Sequence, residues 1–293
     1  MKHLVLLFAL MAVVAKADIT YTDDVTLIGT ADGVNYYDLS GGGAAPADVG
    51  DPFAWWKMTA TGTNTTQILD FSDTGSANAS NQPSVAGGPT LITTNGAFYS
   101  FDGADDKFSI TNQPAFNTFT ALTMSCWFNL STEPESDSWM IMMSQYTSAG
   151  FSGQSYFCPK FGSALGFSEP ARNKAGFALG DVQNGDGVIV MAGATTIAVS
   201  NWYHFVATWD GGLDPDSMEL YINGTNDSLT GIEAGVFPGM VGLDANLYMG
   251  GRQVGGINSD ANIFSGLLND IRWFANEVLT PTQITNLYTE GAQ

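Results

Sequence analysis

The chain has 293 residues and a formal net charge of −20, with 9 lysine and arginine residues against 29 aspartate and glutamate residues. Nucleic acids and anionic membrane surfaces are bound through basic side chains, so this charge argues against both as partners. The acidity is compatible with solubility in saline surroundings or with divalent-cation binding. The 34 glycines and the lack of apolar heptads favour an all-β sandwich or barrel.

The first residues have the pattern of a secretory signal peptide. Lys2 and His3 give a positive start, Leu4–Val14 is apolar, and an A-x-A cleavage sequence ends at Ala17. The apolar stretch is too short for a membrane-spanning helix, and no later segment is a candidate for one. We therefore expect cleavage after Ala17 and a protein that is secreted, either extracellular or at the cell surface, without inserting into a membrane.

Residues 18–50 form a leader that is too short for a hydrophobic core of its own. Ile19–Ile28 and Val34–Leu39 contain β-prone residues, and Gly41–Gly43 starts a glycine-rich hinge. The main domain is predicted to occupy residues 51–293.

The main domain alternates short aromatic and β-branched runs with Gly, Asn, Asp and Ser, as all-β proteins do. Strands are predicted at Phe53–Met58, Ile68–Phe71, Ala97–Phe101, Asp106–Ile110, Phe119–Leu130, Trp139–Gln145, Ala175–Leu179, Val188–Met191, Leu247–Gly250, Ile263–Leu268 and Asp270–Phe274.

A hairpin and a helix are the clearest local predictions. Trp202–Trp209 alternates with period two and has apolar residues on both faces, which predicts a buried strand. Met218–Ile222 is the second strand of the hairpin and ends at Asn223-Gly224, a strong tight-turn signal. Near the end of the chain, Thr280 before a proline predicts the start of a short helix with Ile284, Leu287 and Tyr288 on one face.

Two cysteines, Cys126 and Cys158, occur in a chain expected in an oxidising compartment. They could form a disulfide or remain as two buried thiols, because sequence does not give the distance between them. A zinc site is not expected, because no second Cys or His pair completes a tetrahedral set.

Several segments, in order, resemble the laminin G-like, concanavalin A-like lectin family. They are FDGADDKFSI (Phe101–Ile110), FTALTMSCWFN (Phe119–Asn129), WYHFVATWDG (Trp202–Gly211), ELYINGT (Glu219–Thr225), LYMGGR (Leu247–Arg252) and FSGLLNDIRWFANEVLTPTQITNLY (Phe264–Tyr288). The resemblance implies a two-sheet antiparallel jelly-roll sandwich with a short C-terminal helix. It also implies binding of glycans or glycoproteins, a role in adhesion, and frequent use of calcium.

Calcium requires six to eight oxygen ligands, which aspartates and backbone carbonyls supply. By the resemblance, Asp270 is the first candidate ligand, followed by Asp70 and Asp106. The alternative for the neighbouring Asp102 and Asp105 is that their side chains only stabilise a turn by bonding local backbone amides.

Lectin sites combine an aromatic face with polar groups that hydrogen-bond a sugar. The residues of this kind in loop-like segments are Trp139, Tyr146, Tyr156, Arg172 and Arg252. The tryptophans expected to pack in the core instead are Trp55, Trp127, Trp202 and Trp273.

An enzyme is not expected. Jelly-roll glycanases carry a Glu-x-Asp-x-x-Glu set that places carboxylates on one face of a strand, and the chain has no such set. His204 is predicted to be a core residue without a Ser or Cys nucleophile beside it. We therefore expect a secreted carbohydrate-binding or adhesion protein. The alternative is a structural protein that self-associates when its leader pairs with a neighbouring sheet edge. A polysaccharide-degrading enzyme ranks third.

Overall fold

A computed structural model gives the fold and describes residues 26–31, 34–38, 49–56, 67–68, 72, 79–81, 88–92, 98–133, 140–145, 154–158, 174–180, 187–240, 245–253, 260–261 and 263–291. The predicted signal peptide lies outside these residues. The chain divides into two compact units, Met1–Asp48 and Val49–Gln293. In the first unit, β1 (Thr26–Ala31) and β2 (Val34–Asp38) form a two-stranded antiparallel sheet.

The second unit is built mainly of strands. In chain order they are β3 (Ala54–Trp56), β4 (Gln67–Ile68), β5 (Ala79–Asn81), β6 (Thr90–Ile92), β7 (Phe98–Asp102), β8 (Phe108–Ile110), β9 (Leu122–Leu130), β10 (Met143–Gln145), β11 (Gln154–Cys158), β12 (Lys174–Gly180), β13 (Val188–Thr196), β14 (Trp202–Trp209), β15 (Met218–Ile222), β16 (Thr225–Asn226), β17 (Ser228–Ala234), β18 (Leu247–Met249), β19 (Arg252–Gln253), β20 (Asp260–Ala261) and β21 (Ser265–Ala275). The described helical segments are α1 (Pro114–Asn117), a 3-10 turn (Pro215–Ser217) and α2 (Pro281–Gly291).

Two antiparallel sheets contain most of these strands. The nine-stranded sheet has the order β17-β13-β12-β11-β10-β18-β8-β5-β4. The eight-stranded sheet has the order β16-β15-β14-β9-β21-β7-β6, with β3 also paired to β21. The predicted all-β, two-sheet jelly-roll sandwich with a short C-terminal helix is confirmed.

Side chains of both sheets form one apolar core, because alternate residues of each strand point to the same face. Burying one of its large side chains stabilises the fold by roughly 1.5–3 kcal/mol. Fully buried members are Phe101, Phe108, Phe128, Phe157, Phe177, Phe205 and Trp273.

The predicted hairpin is present, with β14 paired to β15 in antiparallel register. Asn223 and Gly224 connect β15 to β16, and both have positive φ, at 52° and 74°, as a two-residue turn between twisted strands requires. Local turn chemistry therefore predicts this part of the fold correctly.

The predicted division of the last strand is wrong. Ile263–Leu268 and Asp270–Phe274 were expected as separate strands, whereas β21 is continuous from Ser265 to Ala275. Asp270 has a φ of 47° and the register with β9 shifts between Asn269 and Arg272, so the break in the pattern is a bulge within one strand.

Helix α2 packs on the face of the eight-stranded sheet that is opposite to the core. Ile284 and Leu287 are buried there with Val206 and Phe274. Thr280 caps the helix, because its Oγ1 accepts a hydrogen bond from the Gln283 backbone N–H at 3.3 Å and its own N–H donates to Gln283 Oε1 at 2.9 Å.

Cys126 and Cys158 are both buried and both thiols are free, so the structure has the second of the two predicted alternatives. The Cys126 thiol donates to Met142 Sδ at 3.7 Å, and burial raises the pKa of both cysteines. In the part of the chain that the structure describes, the helices lack the length and apolar character needed to cross a membrane.

Candidate functional site

A polar strip (Ser109, Ser144, Asn246 and Tyr248) lies on the nine-stranded sheet. Tyr248 is paired in register with Ser109 on one side and with Ser144 on the other. Both strand neighbours of Ser109 and Tyr248 and one neighbour of Ser144, Met143, are core residues, so strand alternation places the three side chains on the face that points away from the core. The strip therefore aligns two hydroxyls and a phenol across three strands.

Amide groups lie at one end of the polar strip, with Asn246 in the strip and Gln145 on the opposite face of the sheet. Asn246 donates from Nδ2 to Ser109 Oγ at 3.1 Å, and its Oδ1 accepts from the Asn112 N–H at 3.1 Å. Gln145 donates from Nε2 to the Ala245 carbonyl at 3.0 Å, yet its Oε1 is buried without a hydrogen-bond partner. The two partners of Gln145 Nε2, Asn112 Oδ1 and the Ala245 carbonyl, are both acceptors, which fixes the orientation of the amide group. The unpaired atom is therefore the amide oxygen, a hydrogen-bond acceptor.

An acidic turn (Asp102–Asp106) lies at the start of β8. One carboxylate oxygen from each of Asp102, Asp105 and Asp106 lies within 4.8 Å of the others. Asp102 Oδ1 accepts from the Ala104 N–H at 2.8 Å, so the expected turn-stabilising role is present. Asp106 is 5% exposed, and burial raises its pKa.

The glycine pair Gly250-Gly251, which precedes Arg252, lies between the polar strip and the acidic turn. Gly251 accepts a 2.7 Å hydrogen bond from the Ser144 hydroxyl through its carbonyl. Gly250 has a φ of +90°, and a Cβ there would lie 2.7 Å from the Asp106 carbonyl oxygen. Only glycine fits this approach, which places the start of β19 next to the acidic turn.

The predicted ligand-binding residues are only partly brought together. Arg252 starts β19, and Tyr156 is paired in register with Ser144 of the polar strip. Trp139, Tyr146 and Arg172 lie outside the described residues, as does the predicted metal ligand Asp70.

Asp270, the first candidate for calcium, is engaged elsewhere. Its carboxylate accepts from Trp55 Nε1 at 2.6 Å and from Arg272 Nε and Nη2 at 3.1 and 3.0 Å. Arg272 also donates to Glu290 at 3.2 Å and lies over the Trp55 ring at 4.3 Å. A cation at Asp270 would have to displace a guanidinium, so these contacts favour Asp106 over Asp270 as a ligand.

The prediction that His204 lacks a nucleophile partner is wrong. Ser125 Oγ lies 2.8 Å from His204 Nε2, because Ser125 and His204 lie on adjacent, paired strands. His204 is 1% exposed, its Nδ1 has no hydrogen-bond partner, and burial lowers its pKa to about 3. The ring is therefore neutral and closed to solvent.

The predicted buried position is right for Trp127 and Trp273 and wrong for Trp55 and Trp202. Trp55 and Trp202 are half-buried, and Trp127 is buried outside the apolar core, stacked on Tyr288 with ring centroids 5.6 Å apart. Sequence alternation does not distinguish the two faces here, because helix α2 also buries residues on the face of the eight-stranded sheet that is opposite to the core.

Sequence reasoning missed the polar strip, although a signal for it exists. In LYMGG, Tyr248 stands between Leu247 and Met249, and this alternation alone places it on the opposite face from two core residues. Asn246 had no such signal, because its partners are distant in sequence.

The laminin G model of the concanavalin A-like lectin/glucanases superfamily matches residues 101–285, more than half of the chain. No curated protein gives a significant match.

Solved structures share the fold at low identity. The botulinum neurotoxin serotype D binding domain aligns with a TM-score of 0.55 and 15% identity over 82% of this chain and 52% of its own. The binding domain of botulinum neurotoxin DC in complex with SialylT aligns with a TM-score of 0.53 and 14% identity, covering 82% of this chain and 51% of its own. A Trypanosoma rangeli sialidase aligns with a TM-score of 0.50 and 14% identity, covering 85% of this chain and 34% of its own. The chain thus spans about half the length of the toxin domains, or less for the sialidase.

Proposed function

We propose that this chain, which belongs to the concanavalin A-like lectin/glucanases superfamily, is a secreted, non-catalytic protein that binds carbohydrate at the polar strip. The observation that carries the proposal is the arrangement around Tyr248, whose ring has Lys107 Nζ 5.9 Å from its centroid and whose row contains Ser109 and Ser144. The neurotoxin DC binding domain, which shares the fold, was solved in complex with SialylT.

The chemistry of the polar strip suits a polyhydroxylated ligand. A pyranose has an apolar ring face that packs on aromatic side chains and a rim of hydroxyls that bond amides and hydroxyls. Ser109 and Tyr248 are 6% exposed and Ser144 is 0% exposed, so a sugar would enter at the end of the strip where Asn112 and Asn246 are half-buried.

Two observations favour binding without catalysis. The chain has no Glu-x-Asp-x-x-Glu set of the glycanase type. The Ser125–His204 pair has hydrogen-bond geometry, but burial keeps the imidazole neutral and away from solvent, where a substrate would arrive. Secretion is proposed from the signal-peptide pattern that ends at Ala17, and adhesion is one use of such a binding site.

Calcium is proposed to support the site through the acidic turn. Three carboxylates within 4.8 Å of one another provide hard oxygen ligands, and their mutual repulsion would be relieved by a cation. Asp106 leads through Lys107 and Phe108 directly into Ser109, so a bound ion would hold one end of the polar strip in place.

A glycan array probed with and without calcium tests the proposal. We expect retention of at least one glycan class and at least tenfold weaker binding for Y248F, which removes the hydroxyl that interacts with Asn246 and Ser109. Y221F is the matched control, because Tyr221 Oη donates to Glu219 on the eight-stranded sheet at 2.6 Å. Absence of binding to every glycan under both conditions would remove the proposal.

A further inference from the structure

Strand β17 is the one long edge among the four end strands of the two large sheets, as far as the structure describes them. The end strands β4 and β16 have two residues each and β6 has three, whereas β17 has seven. Its one strand partner in the described sheet is β13. Short end strands protect a sheet from edge-to-edge pairing, so β17 is the end that remains available for pairing.

The sequence of β17 lacks the features that block pairing. Ser228–Ala234 contains no lysine and no proline, and its one charged residue is Glu233. Leu229 in β17 is 47% exposed, and Val236, two residues after the end of β17, is 76% exposed. A neutral edge with exposed aliphatic side chains favours addition of another strand.

The surroundings of β17 restrict the kind of strand that fits. Pro215 packs against Gly231, where a Cβ would lie only 2.4 Å from the proline Cβ. The residues on either side of this proline, Asp214 and Asp216, are exposed acids, and Glu233 adds a third. An incoming strand with carboxylates would be repelled, whereas an uncharged strand would not.

The leader contains such a strand. β1 (Thr26–Ala31, TLIGTA) has no charged residue, and its six residues nearly match the length of β17. With β2 it forms a sheet of only two strands, and isolated two-stranded sheets are marginally stable in water. A third strand on the open edge of β1 would stabilise it.

We propose that β1 of one copy adds to the β17 edge of a second copy, so that the chain self-associates through strand addition. The sequence between β2 and the main domain, residues 39–48, contains Gly41–Gly43 and can reach up to about 35 Å. Each copy provides one donor strand and one acceptor edge, so the contact joins two different surfaces and can continue beyond a dimer. This association is independent of carbohydrate binding.

Sedimentation velocity of the mature chain, from Asp18, tests the proposal at several concentrations and salt levels. We expect the average mass to rise above that of one chain and to rise further with salt, because the strongly acidic copies repel each other. L229K and T30P should each reduce the associated fraction at least fivefold.

The matched controls are V278K, which places a lysine at an exposed valine outside β17, and A44P, which places a proline outside β1 and β2. Both should associate like the wild type, and circular dichroism should show that all variants are folded. A monomer at every concentration would overturn the proposal. Loss of association in L229K but not in T30P would also overturn it, because another strand would then occupy the edge.

Discussion

Ser125 and His204 share a 2.8 Å hydrogen bond between Oγ and Nε2 inside the fold, beside the Trp127 and Tyr288 rings. Burial lowers the pKa of His204 to about 3, while the Asp270 charge raises it and the Arg272 charge lowers it. The pair therefore resembles the nucleophile and base of a hydrolase in geometry but has the solvation of a core residue. Its measurable consequence is a dependence of stability on pH.

Stability should fall as the pH drops from about 6.5 towards 3. In this window the unfolded chain binds a proton at His204 that the folded protein does not bind, so acid favours unfolding by up to about 1.4 kcal/mol per pH unit. Urea unfolding at pH 7, 6, 5 and 4 measures the effect. H204Q removes this titration, so the stability difference between wild type and H204Q should shrink as the pH falls. Parallel curves for the two proteins would contradict the assignment.

Replacing Arg272 should destabilise the protein strongly. The guanidinium is 3% exposed and makes two hydrogen bonds to Asp270, and attraction to Asp270 and Glu290 raises its pKa although burial alone would lower it. R272A leaves the Asp270 carboxylate without its cation, which typically costs about 3–5 kcal/mol of unfolding free energy.

The control for Arg272 is its second partner. Glu290 is 49% exposed, so its ion pair with Arg272 is screened by solvent. E290Q should change the unfolding free energy by no more than about 1 kcal/mol. Equal losses in R272A and E290Q in urea unfolding would mean that the stabilising contact is with the helix rather than with Asp270.

Both cysteines should be unreactive in the folded protein. Cys126 and Cys158 are fully buried and burial raises their pKa, so little thiolate is present at neutral pH. A thiol reagent should label neither residue in native buffer and both in guanidinium without reductant. Fewer than two thiols after unfolding would show that Cys126 and Cys158 form the disulfide.

The sequence predicts the elements whose causes are local. The hairpin of β14 and β15 follows from alternation, the turn from β15 to β16 follows from Asn223-Gly224, and the start of α2 follows from Thr280 before a proline. The family resemblance adds the two-sheet order, which local patterns do not contain.

Long-range pairing explains what the sequence does not predict. Ser125 and His204 are 79 positions apart and meet only through the register of β9 with β14. Asp270 looks like a free acidic ligand in sequence, yet a bulge in β21 directs it to Arg272 and Trp55, 215 positions away. Both relationships depend on strand register, because a shift of one residue would move these side chains to the other face of the sheet.

The acidic turn should bind calcium in a manner that depends on Asp106. Calcium at about 100 times its dissociation constant would add about 2.7 kcal/mol to stability. We expect calcium to raise the midpoint of thermal unfolding, a chelator to reverse the change, and D106N to abolish it. D216N, at an exposed aspartate outside the acidic turn, should respond like the wild type. If D270N rather than D106N abolished the response, calcium would bind where the family resemblance first indicated, and Arg272 would have to move.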